Sequence, residues 1–108
     1  FTDDFRAKNA ATVSRHQRLL ESIDPEGYTA CAAAACDIDT LGRLNQIRVP
    51  TLVIAGDQDI GTPVVMAEAL SKGIPGAQLV TLQNCAHLSA CEHPDAFAHL
   101  VGEFVASL

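Results

Sequence analysis

Val49-Pro50-Thr51-Leu52-Val53-Ile54-Ala55-Gly56-Asp57-Gln58-Asp59 is the segment that most limits what this chain can fold into. From Thr51 to Ala55 every residue is apolar or β-branched. A short, unbroken run of this kind suits a strand covered on both faces, as in parallel sheets. Gly56 and two acids end it, and Thr62-Pro63 then opens a helix with Val65, Met66, Ala69 and Leu70 on one side. Gly73 and Pro75-Gly76 stop that helix, and Gln78 to Leu82 make a second strand. Strand, helix and strand with such short connections predict a right-handed parallel βαβ unit.

The parallel unit is only half of the chain. Residues 1–48 carry helix signals and no strand signal, whereas residues 49–108 alternate strand and helix. In the first half Val13, Gln17, Leu20 and Ile23 recur at helical spacing. Asp24-Pro25 is a helix start, because Asp caps free N–H groups and Pro suits the first helical position. Tyr28, Cys31, Ala32 and Ala35 continue that helix, and Asp39 can cap a short one with Leu41, Leu44 and Ile47. These alanine-rich helices have little bulk and suit lying on another surface. Pro94 opens the last helix, where Phe97, Leu100, Val101, Phe104, Val105 and Leu108 share a face. The expected division is a helical segment over 1–48 and an α/β segment over 49–108. Two central-type strands also need neighbours, so more sheet is expected in a segment outside these residues or in a partner chain. Phe1-Thr2-Asp3-Asp4 reads like the middle of a longer chain.

Composition removes several function classes. Nearly half of the 108 residues are hydrophobic (48%) and 19% are charged, a balance that favours a packed core over disorder. The net charge is -6 and the seven Lys and Arg are scattered, so there is no basic stripe for nucleic acid or an anionic membrane surface. No apolar run approaches the ~18 residues of a membrane span. Four cysteines without a secretory signal point to free thiols and a cytoplasmic setting.

Loops at the C-terminal ends of parallel strands are where open α/β sheets place their sites. Asp59 follows the first strand and His87 the second, with Asp57 a competing acid. A carboxylate beside an imidazole fixes its tautomer, and the imidazole then moves a nucleophile's proton.

These residues resemble the C-terminal end of the α/β-hydrolase fold family. Pro50 to Gly56, Asp59 and Thr62-Pro63, followed by Ala86-His87, Glu92, Pro94 and Phe97, are similar to that family's strand–Gly-x-x-Asp–Thr-Pro and His-x4-Glu-x-Pro-x-x-Phe pattern. The resemblance covers residues 50–108. It implies that Asp59 is the triad acid and His87 the triad base, the acid falling three residues after the glycine. Asp24-Pro25-Glu26-Gly27-Tyr28, the Cys/Ala run, Asp37-Ile38-Asp39 and Ala86-His87-Leu88-Ser89 are also similar to the 3-oxoadipate enol-lactonases. By that resemblance residues 1–48 are lid, and the reaction is carboxylic-ester or lactone hydrolysis, with 3-oxoadipate enol-lactone the best single substrate. No cofactor is implied, since acyl transfer to water needs none.

The pattern is incomplete. None of Ser14, Ser22, Ser71, Ser89 and Ser107 lies in a Gly-x-Ser-x-Gly elbow, and there is no His-Gly oxyanion motif. The chain by itself is therefore expected to be inactive, as the C-terminal piece of a larger hydrolase. An exposed sheet edge is expected to make the isolated chain dimerise or precipitate. Two other readings stand beside this one: a non-catalytic α/β interaction module, and a small metal domain built on Cys85, His87, Cys91 and His93. The spacing of that cluster does not match structural zinc sites, so no metal is expected. Glu92 is read as structural, bonding loop backbone or capping the last helix.

Overall fold

A computed structural model describes all of residues 1–108. It falls into two compact units, Asp3–Thr40 and Leu41–Leu108, the second joined by Phe1–Thr2. The division lies before Leu41, whereas the sequence suggested one after residue 48. Packing explains the difference. Residues Leu41–Gln46 form a 3₁₀ turn against the βαβ unit, where buried Leu44 lies so close to Gly73 that a Cβ there would meet its side chain 2.6 Å away.

The first unit holds three helices, α1 (Asp3–Lys8), α2 (Ala10–Glu21) and α3 (Pro25–Cys36). The Asp24 side chain accepts the Gly27 N–H at 2.7 Å, and Pro25 occupies the first turn, as the sequence signal requires. None of the three helices contains a buried residue. Leu20 and Tyr28 are exposed. Local terms therefore hold α3: alanine propensity and one cap.

The second unit is a parallel βαβ. Strands β1 (Leu52–Gly56) and β2 (Gln78–Leu82) pair with Leu52 opposite Gln78 and Gly56 opposite Leu82. Between them, α4 (Val64–Gly73) packs on both strands. Pro75-Gly76 makes the return, with Gly76 at φ +75°, a left-handed conformation that glycine adopts without cost. A single turn, α5 (Ser89–Glu92), and α6 (Pro94–Ala106) follow.

The buried face of α4 differs from the expected one. Val65 and Met66 are exposed and Ala67 is buried, with Ile74 buried at the helix end. Val64, Ala67, Ser71 and Ile74 recur at helical spacing and are buried or half-buried. Bulk alone pointed to the wrong stripe. The turn α5 was not expected either, since four residues carry no periodic signal. The apolar core is small: Leu44, Ala55, Ala67, Ile74, Cys85 and Ala86. Half-buried Phe97, Leu100 and Phe104 share α6 with the more exposed Val105, and exposed Leu108 follows the helix. No helix is long and apolar enough to cross a membrane.

Replacing Asp24 with Ala removes the cap of α3. The expected loss is about 1 kcal/mol of local helix stability, read as faster amide exchange at Gly27 with β1 and β2 unaffected.

Candidate active site

Parallel pairing sends β1 and β2 out of the sheet at the same edge, so the loops after Gly56 and Leu82 run side by side. Hydrogen bonds knit them together. Asp57 N–H donates to Leu82 O at 3.0 Å, Gln58 N–H to Cys85 O at 2.9 Å, and Cys85 N–H to Asp57 Oδ1 at 3.0 Å. Asn84 takes a left-handed φ of 54°, which asparagine tolerates better than most residues, and turns the chain toward these donors. The loops cross over Gly56. A Cβ there would sit 2.5 Å from the Ala86 carbonyl oxygen and closer still to that of Cys85. Glycine is thus required for approach at this position, not for its φ.

Asp59 and His87 meet where the loops converge. His87 Nδ1 lies 2.7 Å from Asp59 Oδ2. The Asp59 side chain is 8% exposed, whereas that of His87 is 64% exposed. Three further donors hold the carboxylate. Gly61 N–H and Thr62 N–H reach Oδ1 at 2.9 and 3.0 Å, and the Thr62 hydroxyl reaches Oδ2 at 2.6 Å. Burial alone pushes the Asp59 carboxyl upward. The Thr62 hydroxyl and N–H, then His87 and Gly61 N–H, outweigh it and hold the group well below the usual carboxylate range. Asp59 is therefore an anion at neutral pH and can only accept.

That fact assigns the tautomer of His87. Nδ1 must carry a hydrogen, which it donates to Asp59 Oδ2. Thr62 Oγ1 stands 3.2 Å from the same nitrogen. Because the Thr62 hydrogen is given to Asp59, its oxygen is a second acceptor for Nδ1–H. The neutral ring then keeps its lone pair on Nε2, the form that accepts a proton from a nucleophile. Thr62 is a site residue whose role the sequence reading missed. Its signal was present in Thr62-Pro63, which reads first as a helix start.

The competing groups have other partners. Asp57 is bound to the Cys85 backbone. Cys85 is fully buried, and burial, followed by the nearby Glu92 and Asp57 charges, pushes its thiol up, which disfavours a thiolate nucleophile. His93 Nε2 donates to Asn84 O at 3.0 Å. No three His, Cys, Asp or Glu side chains converge in a geometry that would hold a metal ion. The Ser71 hydroxyl donates to a carbonyl of its own helix, and those of Ser22 and Ser107 donate to carbonyls of the helices they end. Glu92 accepts from loop backbone, at Ala86 N–H, rather than capping α6.

Two substitutions test this geometry. Gly56→Ala forces the loops apart and should cost about 3 kcal/mol, read from denaturant unfolding. Thr62→Val removes the hydroxyl donor and should raise the Asp59 carboxyl toward the ordinary range, followed by the titration of its ¹³Cγ resonance. The sign for stability follows. A folded-state value below the unfolded one stabilises the fold above the ordinary carboxylate value, and that contribution is lost as pH falls through the folded one. Thr62→Val should therefore make acid unfolding less steep below about pH 4.

Comparison with known proteins agrees with this architecture. An alpha/beta hydrolase fold model matches residues 8–94. A 3-oxoadipate enol-lactonase of Acinetobacter baylyi is 35% identical over 101 residues, which are 94% of this chain and 38% of that protein. A pimeloyl-acyl-carrier-protein methyl ester esterase of Neisseria meningitidis is 35% identical over 81 residues, covering 75% of this chain and 31% of the esterase. Among solved structures, the enol-lactonase from Burkholderia xenovorans LB400 superposes with a TM-score of 0.95 at 29% identity, over 98% of this chain and 40% of that one. The chain spans about two fifths of the length of the enol-lactonases it matches. A family match over most of the chain, on a parallel βαβ with these loops, places it: the chain belongs to the α/β-hydrolase fold family.

Proposed function

We propose that Asp59 and His87 are the acid and base of a Ser-His-Asp triad that hydrolyses carboxylic esters or lactones. The serine would come from a segment outside these residues. The observation that carries the reading is the 2.7 Å contact between Asp59 Oδ2 and His87 Nδ1, made by loops that leave adjacent parallel strands. The acid and base follow in the order the family uses. His87 Nε2 takes the serine hydroxyl proton as its oxygen attacks the substrate carbonyl. Asp59 stabilises the imidazolium that results, and His87 returns the proton to the leaving oxygen. In a lactone that oxygen stays attached to the product, so one ring opens and one acyl-enzyme forms. Water, deprotonated by the same nitrogen, then releases the acid.

An enol-lactone is the preferred substrate class. Two relatives are named 3-oxoadipate enol-lactonases at 35% and 30% identity, and a neighbouring structure is an enol-lactonase. Methyl esters are the nearest alternative, from the esterase relatives. The reading also calls for a covering segment. A two-stranded parallel sheet is normally flanked by further strands, and Val65, Met66, Val105 and Leu108 are apolar and exposed. We place the Asp3–Thr40 helices as lid and assign the protein to the cytoplasm on the same reading.

The test is reconstitution. The chain is co-expressed with the N-terminal three-fifths of an enol-lactonase relative, and hydrolysis of an aryl ester and an enol-lactone is followed. Activity is expected only with both parts. His87→Ala and Asp59→Asn should each lower kcat by about a thousandfold or more with a small change in KM. A folded, inactive complex, or an active one indifferent to His87, would overturn the proposal.

A further inference from the structure

Glu92 is the one buried carboxylate that the proposed chemistry leaves unused. Its two oxygens hold two distant segments. Oε1 accepts the Ala86 N–H at 2.9 Å, directly before His87. Oε2 accepts the Thr2 N–H at 2.9 Å and the Thr2 hydroxyl at 2.8 Å, from a residue 90 positions upstream. Glu92 N–H in turn donates to Leu88 O at 3.0 Å. Residues 86–92 therefore form a small closed ring, with His87 inside it and the Glu92 side chain as its closure.

We propose that Glu92 is a positioning residue for His87, a clamp that fixes the backbone just before the imidazole and anchors Phe1–Thr2 at the same point. Its meaning for catalysis rests on the triad reading, but the placement of the ring does not. The neighbouring supports stop one residue short: Gln58 N–H and Asp57 Oδ1 both hold Cys85. Only the Glu92 bond acts on Ala86 N–H, the group next to His87. An ionised carboxylate suits the task because it accepts from every side, and hydrogen bonds to charged acceptors are the stronger kind. Burial pushes the Glu92 carboxyl up, but the Thr2 and Ala86 donors bring it below its ordinary value. A glutamine in its place has one accepting oxygen. Its NH₂ group would face an N–H donor at one end or the other.

The experiment uses the full chain, ¹⁵N-labelled, with Glu92→Gln, Thr2→Val and a packing control, Ile74→Val. Two quantities are read: hydrogen exchange at the Ala86 amide, and the ¹⁵N shifts of the His87 ring in mildly alkaline solution. In the parent the ring should show a single Nδ1–H tautomer. In Glu92→Gln, Ala86 exchange should speed about tenfold or more, and the ring should average toward the Nε2–H form. Thr2→Val should move both readouts the same way by a few-fold. Ile74→Val should lower the melting temperature and move neither. If Glu92→Gln melts early yet keeps Ala86 protection and the parent ring signature, the clamp is only structural and the proposal fails. If Glu92→Gln does not fold, Thr2→Val decides: unchanged Ala86 exchange overturns the proposal. Neither readout needs ester turnover, so an inactive reconstituted enzyme would sink the triad reading and leave this one standing.

Discussion

The approach of two backbone loops over Gly56 is the constraint from which the site follows. Parallel strands end at the same edge, but a shared edge alone leaves side chains too far apart to bond. Here the Cys85 and Ala86 carbonyls occupy the space that any side chain at 56 would need. Three hydrogen bonds from Asp57, Gln58 and Cys85 then hold the loops in register. With the backbones fixed, Asp59 and His87 need only ordinary side-chain lengths to meet. A carboxylate with three protein donors besides the imidazole is also preorganised: its charge and orientation are set by the fold.

The two carboxylates that matter most are held by different means for different ends. Asp59 gathers its donors from the turn that follows it, Gly61 and Thr62, so its site is local in sequence. Glu92 gathers its donors from Thr2 and Ala86, so its site exists only in the folded chain. Both remain charged because bonds outweigh burial, and both lie in the Leu41–Leu108 unit with Phe1–Thr2. The Asp3–Thr40 helices, by contrast, contain no buried residue.

Much of this was legible in the sequence, and the reasons are physical. The strands show because runs such as Leu52-Val53-Ile54 have one stable use, between two covering layers. Thr51 to Ala55 was read one residue early against Leu52–Gly56, and Gln78–Leu82 was read in full. Asp24-Pro25 shows because caps act on adjacent residues. The face of α4 did not show, because side-chain bulk favours 65, 66, 69 and 70 while the sheet selects the small residue Ala67. The short turn α5 and the unit boundary at Leu41 depend on contacts across the chain, which periodicity does not record. Asp59 and His87 were nameable from loop position and a family pattern. The bonds from Thr62 to both, and from Glu92 to Thr2, needed coordinates.

The central claim is that this Asp–His pair is built to take a proton from a serine carried by another segment. The most direct measurement is a crystal structure of the chain joined to an upstream hydrolase segment after reaction with a phosphonate ester. The account predicts one phosphonylated serine with its oxygen about 3 Å from His87 Nε2, and Asp59 still bound at Nδ1. A phosphonylated serine out of reach of His87, or an adduct formed equally well when His87 is replaced by alanine, would contradict it.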